Sequence, residues 1–168
     1  AAPYLEQAKD ELKTISDPTA MGEWKLLQAR FDLLNTNYSR SNETFTILLG
    51  ENFYPELRWR VVTWSIYGKL FQRLPVARDD IEILQATLNE IRKENNLRFE
   101  WKILALLGEC FERRKDSKAQ RIKIQAGQKL NQWRMILASQ DKTAYFKTYF
   151  RRELLSYVEN PHKREAEN

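Results

Sequence analysis

Few residues of this chain could carry covalent or acid-base chemistry. His162 is the only histidine, and it lies in the polar C-terminal run NPHKREAEN. One tail imidazole supplies no Ser-His-Asp or Cys-His set, and such a run reads as frayed, solvated chain. Cys110 is the only cysteine, so the ligand count of a structural zinc site is out of reach. Inside LALLGECF its thiol reads as a small core residue. A carboxylate-only Mg²⁺ or Ca²⁺ site needs an acidic loop of suitable spacing, and none is present. Asp79-Asp80 is the closest carboxylate pair of interest, and its place ahead of a periodic segment gives it a capping role before any general acid-base role. The glycines, Gly22, Gly50, Gly68, Gly108 and Gly127, are all isolated, which excludes a Gly-rich phosphate loop. The expectation is a protein that is not an enzyme, with no cofactor and no metal.

Binding chemistry is better represented. Trp24, Trp59, Trp64, Trp101 and Trp133 fall mostly on apolar stripes and read as core, but an exposed Trp beside arginine is a usual energetic centre of an interface. Trp59, between Arg58 and Arg60, is the candidate anchor. The net charge of +5 is uneven: residues 1–84 carry 10 Lys/Arg against 12 Asp/Glu, and residues 85–168 carry 18 against 11. Within 113–152 the count is 12 to 2, a positive field over one end of the molecule. Arg114, Lys115, Lys118, Arg121 and Lys123 are the candidate residues of this basic patch. Three readings stay open for it: a solvated helix face, a site for an acidic protein or lipid surface, or a nucleic-acid footprint. No recognised nucleic-acid motif accompanies the charge.

The elements that must position these groups are helices. Five Gly and five Pro in 168 residues is a low content, and apolar residues recur at three- and four-residue spacing through most of the chain. The length suits one domain that buries roughly 70% of its unfolded surface, here residues 1–158, followed by a polar tail over 159–168. The pattern predicts eight helices: 4–15, 19–36, 39–50, 55–74, 78–95, 97–114, 117–138 and 141–158. Asp17-Pro18, Pro55 and Pro75 punctuate them, and Asp79 or Asp80, Asp116-Ser117 and Asp141 are N-cap candidates. Short connections make neighbours antiparallel. No apolar run approaches the roughly 20 residues of a membrane span, and no signal peptide is visible, which points to a soluble chain in the cytoplasm. The opening AAPYLEQ lacks a Met, as an excised or processed piece of a longer protein would.

The chain also repeats itself. EWKLL from residue 23 returns as EWKIL from residue 100, and aligning Gly68 with Gly108 sets RVVTWSIYGKLFQR over EWKILALLGECFER. Copies then begin near residues 23, 60 and 100, spaced 37 and 40 apart, within the window of about 20–50 that marks stacked repeats. A lone hairpin cannot bury its apolar face, so consecutive hairpins must supply each other's core.

LKTISDPTAMGEWKLLQARF resembles the junction between two tetratricopeptide repeats, with a Trp six residues after the Pro and with Leu27 and Phe31 in place. WKILALLGECFERRKDSKAQRIKIQAG resembles a full repeat, with Leu107-Gly108, Phe111, Ala119 and Ala126 at the family's positions. Gln28 stands where the family has Gly, and the spacing exceeds the family's. Degenerate arrays of this type are similar to those at the C-terminal ends of large bacterial signalling and regulatory proteins. The resemblance implies an all-α solenoid of stacked antiparallel hairpins whose concave groove binds a protein or peptide segment. Groove positions carried over from the Trp and Gly anchors are Lys25, Ala29 and Asp32, then Ser65, Lys69, Gln72 and Arg73, then Lys102, Ala105, Glu109, Glu112 and Arg113. The expected function is a protein-interaction scaffold or regulatory module. The alternative is a basic helical repeat that binds nucleic acid, separable by a salt titration against random oligonucleotides.

Overall fold

The computed structural model describes residues 7, 10, 11, 17–137 and 154–158. These are all-helical, with no strand among them. Six helices run in order through 17–137: α1 Pro18–Leu34, α2 Tyr38–Gly50, α3 Pro55–Phe71, α4 Arg78–Lys93, α5 Leu97–Arg113 and α6 Lys118–Ile136. Each lies within a few residues of its expected span. The expected helices at 4–15 and 141–158 fall largely outside the described residues, which include helical positions 7, 10, 11 and 154–158. Asp141 and the 159–168 tail lie outside them altogether.

Local chemistry explains the starts. Asp17 caps α1, its Oδ1 accepting from the Thr19 N–H at 2.8 Å ahead of Pro18 in the first turn. Ahead of α6 the Asp116 side chain accepts from the Lys118 N–H at 2.9 Å, one residue before the N-cap Ser117, whose own side chain makes no capping bond. Asp79 and Asp80 are not N-caps. They sit in the first turn of α4, where Asp80 Oδ2 reaches back to the Ala77 N–H at 2.9 Å.

The stops use one device four times. Thr36, Arg73, Asn95 and Lys115 have φ of 63°, 56°, 51° and 55°, just beyond α1, α3, α4 and α5. After each, two backbone bonds close the helix end, as in Thr36 N–H to Leu33 O at 3.2 Å and Asn37 N–H to Asp32 O at 2.8 Å. This pairing is the Schellman motif, here with a non-glycine residue in the left-handed position.

The chain divides into two compact units, Ala1–Leu74 and Pro75–Asn168. In the first, α1 packs on α2, and α3 packs on both. Leu26, Ala29 and Leu33 of α1, Phe45 and Leu48 of α2, and Leu57, Val61, Tyr67 and Leu70 of α3 fill its core. In the second, α5 packs on α4 and, most extensively, on α6. Ile81, Leu84, Leu88 and Ile91 of α4 and Leu130 of α6 are buried, as are Leu154 and Tyr157.

Two helices are enclosed more completely than a one-stripe pattern implies. Every residue of α3 from Val61 to Gly68 is buried, as is every residue of α5 from Phe99 to Phe111. A helix apolar around most of its circumference belongs inside a layer and not on its face. Among the described residues no helix is long and apolar enough to cross a membrane.

Candidate functional site: a cleft between α4, α5 and α6

The repeated Glu-Trp-Lys phrase places a carboxylate at a helix junction in each unit. Glu23 of α1 accepts from Arg60 Nη1 of α3 at 2.6 Å and from the Tyr54 hydroxyl at 2.7 Å. That bond, with burial and the Glu23 charge behind it, raises the Tyr54 pKa above its ordinary value, while the Arg60 charge opposes the shift. Glu100 of α5 is 3% exposed and joins three helices. Its Oε1 accepts from Arg92 Nε of α4 at 2.9 Å, and its Oε2 pairs with Lys129 Nζ of α6 at 3.1 Å.

Next to the Glu100 tie, α4, α5 and α6 leave a half-open cleft of about 300 Å³. Its floor is Leu88, Leu107, Phe111 and Ile122, and its rim is Gln85, Asn89, Arg92 and Gln125. The α4 members fall at i, i+3, i+4 and i+7, one face of the helix. Gln85, Asn89 and Gln125 make no hydrogen bond through their side-chain amides to any described residue. Among the described residues Arg92 is the only charged one lining the cleft, and its pair with Glu100 takes Nε, leaving the two terminal nitrogens open. Lys118 stands at the Phe111 end, its Nζ 5.8 Å from that ring.

The groove positions carried over from the resemblance are placed differently. In the first unit Ala29, Asp32 and Ser65 are buried, and Trp59 is 3% exposed, so no open indole is available there as an anchor. Asp32 is paired with Arg40 at 3.4 Å, and Lys25 with Glu51 at 2.6 Å. Gln72 exchanges two 3.0 Å bonds with Asn42. Lys69 is half-buried, and Arg73 is exposed in the left-handed turn. In the second unit Lys102, Ala105 and Glu109 are buried, the Lys102 ammonium lying 4.8 Å from the Phe99 ring. For Ser65, Lys102, Ala105 and Glu109 the physical reason is the enclosure of α3 and α5, whereas Glu112 and Arg113 at the end of α5 are exposed.

The basic patch is thinned in the same way. Lys123 is 4% exposed and sits between Glu112 at 2.5 Å and Glu109 at 3.7 Å, while Arg113 pairs with Glu109 at 3.1 Å. Arg114, Lys115, Lys118 and Arg121 are exposed, and Arg114 Nη1 donates to the Val76 carbonyl at 3.3 Å. Among the described residues no three His, Cys, Asp or Glu side chains are grouped to hold a metal.

Sequence reasoning named none of the eight lining residues as site residues: Gln85, Leu88, Asn89 and Arg92 of α4, Leu107 and Phe111 of α5, and Ile122 and Gln125 of α6. On α4 the only signal was an i, i+3, i+4, i+7 row mixing Leu with two amides and an arginine, which is also what an ordinary amphipathic helix shows. No family model, curated protein or solved structure matches the chain.

Proposed function

We propose that this chain is a protein-interaction module, a tetratricopeptide-like helical repeat that takes a short peptide segment into the cleft between α4, α5 and α6. The observation that carries the reading is the rim: three amides with no partner among the described residues, above an apolar floor. A carboxamide has the donor and acceptor of a peptide group, so it pairs with extended backbone whatever the sequence. The floor adds affinity by removing an apolar side chain from water. A volume of about 300 Å³ lies at the lower end of the range for small-ligand sites, about 300–1,000 Å³, so it fits a few residues and not a folded domain. The module's setting, a scaffolding or regulatory part of a larger signalling protein, belongs to the same proposal.

The test is selection of displayed random peptides of about seven residues, more than the roughly three extended residues that two turns of α4 can span. Binding should be specific to the chain and abolished by Gln85→Trp, which fills the cleft from its exposed rim without touching the core. Failure to enrich any sequence, or enrichment indifferent to Gln85→Trp, would contradict the reading.

One observation favours the nucleic-acid alternative, the four exposed cations Arg114, Lys115, Lys118 and Arg121 near the α5–α6 turn. Oligonucleotide affinity falling steeply with salt, and lost when these four become glutamine, would support it.

A further inference from the structure

Resting on the peptide reading of the cleft, we infer that its occupant is an acidic segment: an apolar side chain on the Leu88–Phe111 floor, flanked by a carboxylate that Arg92 or Lys118 receives. The charge offered to such a segment has one sign. Arg92 is the only ionised lining residue among those described, and Lys118 marks the opposite end along Phe111. The carboxylate beside the cleft is Glu100, buried and already held between Arg92 and Lys129, so it presents no negative surface to an incoming chain.

The two cations differ in what they offer. Arg92 is fixed by its Nε bond to Glu100, which aims the guanidinium and leaves both terminal nitrogens for a second carboxylate in the fork geometry that favours this pairing. The Lys118 ammonium has no ion-pair partner among the described residues and stands 5.8 Å from the centre of the Phe111 ring, so it adds a point charge on a flexible stem at the other end. Between them, the amides of Gln85, Asn89 and Gln125 are neutral, so they grip backbone without selecting charge. A basic peptide would meet two like charges and gain no compensating carboxylate. Exclusion of such segments is as much a part of the specificity as attraction of acidic ones.

A peptide selected on the wild-type chain supplies the probe. The tightest peptide and an analogue with each Asp or Glu changed to Asn or Gln are measured by fluorescence polarisation against the wild-type chain, Lys118→Glu and Gln85→Trp. Lys118 is exposed and outside every ion pair of the described residues, so its reversal tests charge with the fold intact; an unchanged melting curve verifies that. The expected result is enrichment of Asp or Glu beside an apolar residue, with binding weakened about tenfold or more by the amide analogue and by Lys118→Glu. Gln85→Trp should abolish binding of both peptides. Arg92→Lys, which keeps a cation for Glu100 and loses the fork, should weaken the acidic peptide and leave the amide analogue unchanged.

Neutral or basic sequences that bind and are lost with Gln85→Trp would overturn the acidic preference and leave the peptide-binding cleft standing. An amide analogue that binds as tightly as its parent would do the same. Absence of any peptide sensitive to Gln85→Trp would remove both. Binding of a random single-stranded oligonucleotide that Gln85→Trp abolishes would replace the peptide with nucleic acid.

Discussion

Lys123 of α6 lies across Gly108 of α5: a Cβ placed on Gly108 would stand 2.6 Å from Lys123 Cγ and 3.5 Å from the Lys123 backbone nitrogen. The glycine lets α6 approach closely enough for the Lys123 stem to pass over it and for Nζ to reach Glu112 and Glu109. Close backbone approach is the same property that brings small residues to tight helix crossings.

Gly108→Ala should therefore lower stability by about 1–3 kcal/mol, because any accommodation moves Lys123 off its two carboxylates. Gly108→Leu should cost more. Gly68, which aligns with it in the repeat, has only ordinary contacts, with Leu33 Cδ2 nearest at 3.4 Å. Gly68→Ala should be neutral or stabilising, since a mid-helix Ala is favoured by about 1 kcal/mol over Gly. Urea midpoints of the two variants check the contrast. Equal effects would contradict the placement of Lys123.

The repeated glutamates should differ in the same direct way. Glu100 is buried against cations of two other helices, so Glu100→Gln leaves Arg92 and Lys129 without their shared anion and should cost about 1–3 kcal/mol, below the cost of a fully buried pair because both cations are part-exposed. Glu23 and Arg60 are each more than a quarter exposed, at 29% and 27%, and Glu23→Gln should cost about 0–1 kcal/mol. Thermal melts distinguish the two.

Tyr54 gives a pH signature. With its folded pKa raised by the hydrogen bond to Glu23, the unfolded chain loses this proton first as pH climbs through about 10. The contribution is fully present below that pH and disappears as pH rises through the folded pKa. Tyrosine ¹³Cζ shifts should show Tyr54 titrating later than exposed tyrosines, and Glu23→Gln should move it back toward its ordinary value. A Tyr54 that titrates with the exposed residues would contradict the bond.

Thr36 is a β-branched residue at φ 63°, where the left-handed region costs an L-residue about 1–2 kcal/mol. Thr36→Gly relieves this, offset by about 0.4–1 kcal/mol of unfolded-chain entropy, so stability should rise by up to about 1 kcal/mol. Asn95→Gly should change less, because Asn tolerates that region better. Chemical denaturation of both variants reads the difference.

These turns also show where the sequence was opaque. The starts of α1 and α6 were legible because Asp-Pro and Asp-Ser announce themselves, and all six helices of residues 17–137 lie close to their expected spans. The stops of α1, α3, α4 and α5 carried no glycine, since Thr36, Arg73, Asn95 and Lys115 adopt the left-handed conformation under closure by backbone bonds. The repeat was legible as a phrase, but its mechanical content, a glutamate tying neighbouring helices, needed the partners Arg60, Arg92 and Lys129. The cleft was illegible for a plain reason. It exists only where faces of three helices converge, and Leu107 and Phe111 look like core while Gln85 and Asn89 look like solvent. Of the expected groove side chains, Ser65 of α3 and Lys102, Ala105 and Glu109 of α5 are buried, while Glu112 and Arg113 at the end of α5 are exposed: enclosure depends on what packs around a helix, which periodicity on that helix does not encode.

Peptide capture by the cleft is tested most directly by the ¹⁵N side-chain amide spectrum of the chain titrated with a selected peptide. Saturable shifts are expected at Gln85, Asn89 and Gln125, with the mutually bonded Asn42 and Gln72 unmoved. Shifts at Asn42 and Gln72, with the three cleft amides unchanged at saturation, would contradict it.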